Sequence, residues 1–248
     1  MKGIKVVLCL SLVAVLMLSA GHVFAASGTI VYGTTERVTD MDTANAYDFH
    51  TWEIFYNIYE GLMGYPAGET ELVPKLATSY EIVDDGKGYI FTLREGVQFS
   101  DGTPFNADAV VHHWTRILSP KFRGRRLLKP IERIEKTDDY AVRFHLAHPW
   151  PAFKNLISNE LALLAFIPSP KAVDEDTHHR KPVGTGPFKY NEWRGGDHFI
   201  VLKNHQYWQE GKPRLDKVVF RTIPDHQARY ASIVSGQLDV VILDRGNL

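Results

Sequence analysis

The sequence predicts an α/β chain built on mixed strands. Short alternating segments are separated by turn dipeptides such as Asp85-Gly86 and Gly195-Gly196. Between them lie stretches with apolar residues at helical spacing, each opened by a residue able to cap a helix. The last strand-like segment, 238–243, comes closely after a helix, and the sequence stops at Leu248. A strand in that place is expected to belong to a lobe whose remainder lies outside these residues.

From the N-terminal side, residues 28–36 read as a strand running into a loop. Residues 48–61 read as a helix: Trp52, Phe55, Tyr59 and Leu62 recur at spacings of three and four beside Ile58, and Gly61 is placed to end it. The bland reading of that stripe is core packing. Residues 78–83 and 89–93 form a hairpin around Asp85-Gly86, where glycine accepts a positive φ. Glu95-Gly96 and Asp101-Gly102 punctuate the next segment. Asn106 can cap a helix whose inner face carries Val110, Trp114, Ile117 and Leu118. Residues 131–136 and 140–146 read as a strand pair, 168–182 as a proline-bearing loop, and 188–193 with 198–203 as a hairpin. Residues 217–223 read as a buried strand. Asp225 can cap a helix reaching Ser235, with Ala228, Ala231, Ile233 and Val234 inward and Gly236 as its stop.

The first 25 residues have another character. Lys2 and Lys5 precede an apolar run at 6–20, interrupted only by Ser11 and Ser19, and Val23-Phe24-Ala25 places small residues at the −3 and −1 positions of a cut after Ala25. That is the three-part pattern of a secretory signal peptide. The run is shorter than the roughly 20 residues a spanning helix requires. Cys9, the single cysteine, lies inside it and too early for lipid attachment at the cut. The expectation is a soluble exported protein without disulfide or thiolate chemistry. Without Lys2 and Lys5, 26 basic residues face 29 acidic ones, a balance of −3 that offers nucleic acid no basic patch.

The sequence carries no GxSxG elbow, HExxH pair, phosphate-binding lysine loop or CxxC. Gly184-Thr-Gly186 reads as a backbone turn. His112-His113 and His178-His179 invite a metal reading, but neighbours on a helix point about 100° apart. Both pairs are expected to be solvated, and no metal, cofactor or catalytic residue is assigned.

Several blocks together resemble one family. Leu93-Arg-Glu-Gly-Val-Gln-Phe-Ser-Asp-Gly-Thr-Pro-Phe-Asn-Ala-Asp-Ala-Val110 is similar to a signature stretch of the extracytoplasmic solute-binding proteins, family 5, of ABC importers, the group binding oligopeptides, dipeptides and nickel. In matching order come Tyr59-Glu-Gly-Leu62, Leu72-Val-Pro-Lys-Leu-Ala77, Pro182-Val-Gly-Thr-Gly-Pro-Phe188, Asn204-His-Gln-Tyr-Trp208, Gly211-Lys-Pro-Arg-Leu-Asp216, Ile223-Pro-Asp225 and Ser235-Gly-Gln-Leu-Asp239. Each alone is weak; their order across residues 30–240 is specific. Tyr207 and Trp208 are expected to supply buried core area.

The resemblance implies a type II periplasmic-binding-protein-like lobe with a mixed sheet and an inserted subdomain, the second lobe being absent. Its core would be residues 26–62 and 183–248, with 63–182 inserted. It further implies a binding rather than an enzymatic role, in the periplasm: capture of a peptide, or of another small solute or metal complex, for delivery to ABC permease subunits in the inner membrane. An exported remnant without transport activity is the other reading. The first lobe of such proteins contributes the loop after its first strand, here Thr34, Thr35, Glu36, Arg37 and Val38. Glu36 could meet a ligand amine and Arg37 a carboxylate. The bland reading of both is solvated loop charge. The arginine-rich positions of nickel-binding relatives are not matched near 161–167, which favours peptide.

Overall fold

The computed structural model describes residues 28–45, 48–66, 68–158 and 163–243. Residues 1–25, read from the sequence as a signal peptide, lie outside the described residues. Two sheets carry the chain. The first has the order β11 (Val240–Val241), β1 (Thr29–Thr34), β10 (Lys217–Thr222), β9 (His198–Lys203), β8 (Phe188–Arg194), and the second the order β4 (Ala77–Val83), β5 (Gly88–Leu93), β7 (Ala141–Leu146), β6 (Ile131–Asp138).

The first sheet is mixed. β1 (Thr29–Thr34) runs parallel to β10 (Lys217–Thr222) and to β11 (Val240–Val241), while β8 (Phe188–Arg194), β9 (His198–Lys203) and β10 alternate antiparallel. Helix α1 (Phe49–Ile58) packs on it. Ile54, Phe55, Ile58 and Tyr59 meet Phe166, Phe188, Phe199, Val201, Val218 and Phe220 in one buried cluster. Phe55 and Phe166 contact edge to face at 5.5 Å, an arrangement that suits aromatic quadrupoles.

The second sheet is antiparallel: β4 (Ala77–Val83), β5 (Gly88–Leu93), β7 (Ala141–Leu146) and β6 (Ile131–Asp138). Helix α2 (Ala107–Ile117) covers one face. Trp114, Phe91, Phe144 and Phe153 interlock there, with Trp114 against Phe144 at 5.2 Å. A two-stranded ribbon, β2 (Met63–Gly64) and β3 (Val73–Pro74), comes after α1. Short helices α3 (Phe153–Leu156) and α4 (Pro170–Asp174) lead back towards the first sheet, and α5 (His226–Val234) precedes β11. Among the described residues no helix is long and apolar enough to cross a membrane.

The caps read from sequence form as expected. The side chains of Asp48, Asn106 and Asp225 accept from the amides of Thr51, Ala109 and Ala228, satisfying donors a helix start leaves unpaired. The 78–93 and 188–203 hairpins also form.

Several expectations change. Helix α1 ends at Ile58, before Gly61, because Tyr59 is extended. Leu62 consequently leaves the stripe and packs in the second sheet's cluster. The 168–182 loop contains α4, whose start Ser169 caps. The 238–243 strand shrinks to β11. Most changed is α5: Ala228, Ala231 and Val234 are exposed, Ile233 is half-buried, and the fully buried side chain is Arg229. Its guanidinium donates to the carbonyls of Ile223, Pro224 and Ile242. Polar bonds anchor this helix where an apolar face was expected to.

Candidate functional site

β1 and β10 run side by side and end together, Thr34 opposite Thr222. The loops leaving them lie at the carboxyl edge of a parallel pair, the place where open α/β sheets collect ligands. A depression of about 580 Å³ lies there, lined by Thr35, Glu36, Arg37, Thr39, Gly196, Thr222 and Pro224.

The four residues singled out in the sequence divide by role. Glu36 and Arg37 are exposed on the wall of the depression, and neither side chain is paired with another among the described residues. Thr35 also lines it, with Oγ1 2.6 Å from Nε2 of His50 on the first turn of α1. Thr34 is turned inward and buried; its hydroxyl lies 3.2 Å from the Glu36 carbonyl and 3.3 Å from that of Arg221. It therefore shapes the loop from beneath. Local spacing did not point to Thr39, Gly196, Thr222 or Pro224, which complete the lining; the last two come from the end of β10 and Gly196 from the β8–β9 turn. The signals near them were the Gly195-Gly196 turn, the strand read at 217–223 and the Ile223-Pro-Asp225 block, none of which marked a lining.

The motif blocks meet elsewhere, in a buried network. Glu60 is 6% exposed. Its carboxylate accepts from Tyr207 Oη at 2.9 Å, Trp208 Nε1 at 2.8 Å and Thr185 Oγ1 at 3.1 Å. Burial raises the Glu60 carboxyl above its ordinary value, and these three donors oppose that rise. Tyr207 and Trp208 are half-buried: their ring tips bind Glu60, and Trp208 also packs against the second sheet's cluster. Arg94 lies over the Trp208 ring at 4.1 Å, within cation–π range.

Gly184-Thr-Gly186 is not a positive-φ turn. A Cβ on Gly184 would stand 2.1 Å from the Ile58 carbonyl oxygen, and one on Gly186 2.6 Å from the Ile58 carbonyl carbon. The glycines let this segment lie against the end of α1, where the Gly186 amide donates to the Ile58 carbonyl at 2.9 Å.

Neither histidine pair is solvated as expected. His112 faces out to Asp174 at 2.9 Å, but His113 is buried and donates from Nε2 to the Leu164 carbonyl at 2.8 Å. Burial pushes the His113 imidazole down to about 4, so it is neutral at ordinary pH. His178 is buried beside a bidentate ion pair in which Arg116 donates to both oxygens of Asp42, at 2.9 and 2.6 Å. Burial would raise the Asp42 carboxyl, but hydrogen bonds from His178 and Arg116 hold it well below the usual carboxylate range.

An α/β lobe with a mixed sheet and a ligand-sized depression at its parallel strand ends defines part of a type II periplasmic binding protein. The periplasmic binding protein DppA of Helicobacter pylori, solved with the peptide STSA, superposes with a TM-score of 0.77 at 32% identity, covering 85% of this chain and 46% of that one. MoaA of A. tumefaciens R10, solved with mannopinic acid, gives 0.81 at 30% identity, covering 87% and 45%. The glutathione-binding protein GsiB of Escherichia coli K12 is 34% identical over 224 residues, 89% of this chain and 43% of GsiB. Residues 71–246 match the bacterial extracellular solute-binding proteins, family 5, over that family's middle region, and the chain belongs to this family. Its members are binding proteins. The chain spans under half the length of these relatives.

Proposed function

We propose that this chain serves as the solute-binding component of an ABC importer, and that the depression at the ends of β1 and β10 is its share of the solute site. The observation that carries this reading is the pair Glu36 and Arg37. They are opposite charges, exposed, unpaired with other side chains among the described residues, and set side by side on the wall of a cavity large enough for a few residues of peptide. A zwitterionic peptide offers an amine to the first and a carboxylate to the second. Thr35, braced by His50, and Thr34, buried beneath, hold the loop in place. Relatives solved with the peptide STSA, with Met-Leu and with a nonapeptide support a peptide solute.

The same reading places residues 26–62 and 183–248 in a lobe core with 63–182 inserted, export to the periplasm by cleavage after Ala25, permease subunits as partners, and no turnover of the solute. The two hydrophobic clusters, one under each sheet, support that division. A second solute class stays in view because relatives are also solved with mannopinic and agropinic acids; a nickel or other metal complex has no comparable support.

Titration calorimetry with di- to pentapeptides, an opine acid and a nickel complex separates these classes. Peptide heat that falls at least about tenfold in affinity in Glu36→Ala or Arg37→Ala is the expected result, for loss of a charge-assisted contact. Peptide binding indifferent to both substitutions would sink this assignment of the site. Peptide cleavage would sink the binding-only role. N-terminal sequencing that starts at Met1 would sink the export reading.

A further inference from the structure

Past the end of α4, ligand atoms gather where the solute depression makes no use of them. One donor atom from each of Asp176, His178 and His179 lies within 4.8 Å of the other two. Nδ1 of His179 is 3.7 Å from Oδ1 of Asp176. Two ligands about 2.1 Å from a shared tetrahedral zinc ion stand about 3.4 Å apart, so this pair is already near that spacing. Asp176 and His179 have side chains 87% and 43% exposed, leaving them free to rotate onto an ion.

His178 supplies the second observation. It is only 4% exposed. Nε2 is engaged, 3.1 Å from Nη2 of Arg116 and 3.5 Å from Oδ2 of Asp42. Nδ1 is buried without a hydrogen-bond partner. A buried polar atom in that state calls for a reason. Arg116 can only donate, so Nε2 accepts and the neutral His178 ring carries its proton on Nδ1; an ion taken up at Nδ1 displaces that proton and leaves Nε2 to hold one facing the Asp42 carboxylate. A carboxylate on the far nitrogen is how metal-binding imidazoles are commonly oriented.

The backbone is arranged to hold the three together. Asp176 adopts a left-handed conformation, φ +54°, reversing the chain as α4 ends. The amides of Thr177 and His178 both donate to the Ala172 carbonyl, and the His179 carbonyl accepts from Met41.

We propose that Asp176, His178 and His179 form a site for a divalent transition ion of the zinc type, bound by two imidazole nitrogens and one carboxylate oxygen with a remaining position open to water. Imidazole and carboxylate without thiolate suit zinc, nickel or copper better than calcium or magnesium. An ion there clips the exit of α4, through His178 and the His179 backbone, to residues 41–42. That segment leads from the solute loop into α1, so the ion would stiffen the wall that carries Glu36 and Arg37.

The test is calorimetric titration of the untagged chain with zinc chloride. One ion per chain is expected, with affinity at least about tenfold weaker in His179→Ala and in Asp176→Asn, both positions with exposed side chains. His205→Ala, at an exposed histidine elsewhere, should bind as the parent does. Zinc should raise the melting midpoint of the parent and not that of His179→Ala. Should either variant prove poorly folded, the ring nitrogen resonances of His178 in the parent give the answer: coordination at Nδ1 shifts them. No saturable binding below about 1 mM, equal binding in both variants and parent, or unshifted His178 resonances at saturating zinc would each overturn the site.

Discussion

The Glu60 carboxylate and the Trp208 indole meet at 2.8 Å across 148 positions of sequence. The same carboxylate also takes Thr185 and Tyr207. Three short motifs that look unrelated in the sequence are thus one buried structure, the acid of the first receiving donors from the other two. Glu60→Ala would strand all three donors in a dry site. A loss of about 3 kcal/mol in urea unfolding is expected, with Glu60→Gln losing clearly less because an amide oxygen still accepts. Equal losses for the two variants would mean that packing rather than hydrogen bonding sets the cost.

The direction of Glu60's shift fixes a pH dependence. Burial raises its folded-state value against the pull of the donors. That contribution to stability is complete below the ordinary carboxyl value of 4.5 and is lost as pH rises through the raised one. Unfolding free energy in the parent should therefore fall on the alkaline side of 4.5, and Glu60→Gln should lack that component.

Asp42 and His113 act in the opposite sense. Both folded-state values are depressed, so their contributions are present above the ordinary values and lost on acidification: from 6.5 towards about 4 for His113, and below 3.8 for Asp42. Acid unfolding should begin with His113 and finish with Asp42. Arg116→Met leaves the Asp42 charge buried without its main partner. A loss of about 3 kcal/mol at neutral pH is expected, and Asp42→Asn in the same chain should restore part of it in a double-mutant cycle.

Gly184 and Gly196 offer a contrast between space and conformation. Gly184→Ala drives a methyl into the Ile58 carbonyl oxygen, whereas Gly196, at φ +78°, has nothing near its would-be Cβ. Gly196→Ala should cost about 1 kcal/mol for the left-handed backbone alone. Gly184→Ala should cost at least about twice that, because α1 or the facing segment must move. Thermal melts of the two single variants decide it, and a Gly184 variant as stable as the parent would show that the approach can relax.

The sequence was most legible where structure is decided locally. Asp48, Asn106 and Asp225 each sit three residues before an amide they satisfy, and Asp85-Gly86 and Gly195-Gly196 turn the chain between paired strands. The loop 34–37 was singled out for another reason: an ordered set of motifs resembled a family whose first lobe offers that loop to its solute, and in the fold Thr35, Glu36 and Arg37 line a depression. Buried polar residues were not legible. Glu60, His113, His178 and Arg229 all look like surface residues to any local count, because their partners lie elsewhere in the fold: Leu164 is 51 residues from His113, and Thr185 is 125 from Glu60. The inward face assigned to α5 failed for the same reason. Its alanines and valine keep helical spacing, but a single arginine reaching three carbonyls decides which side is buried.

That arginine sets how α5 can come undone. Lifting the helix off the sheet exposes polar groups and little hydrocarbon, and the heat capacity of such a step is small or even negative. A scanning calorimeter would pass over it, while amide exchange in residues 226–234 would report it well below the global transition. The chain is therefore expected to own a low-lying opened form that differs from the closed one mainly in who hydrates the carbonyls of Ile223, Pro224 and Ile242. Its population would answer to denaturants acting on peptide groups more than to temperature.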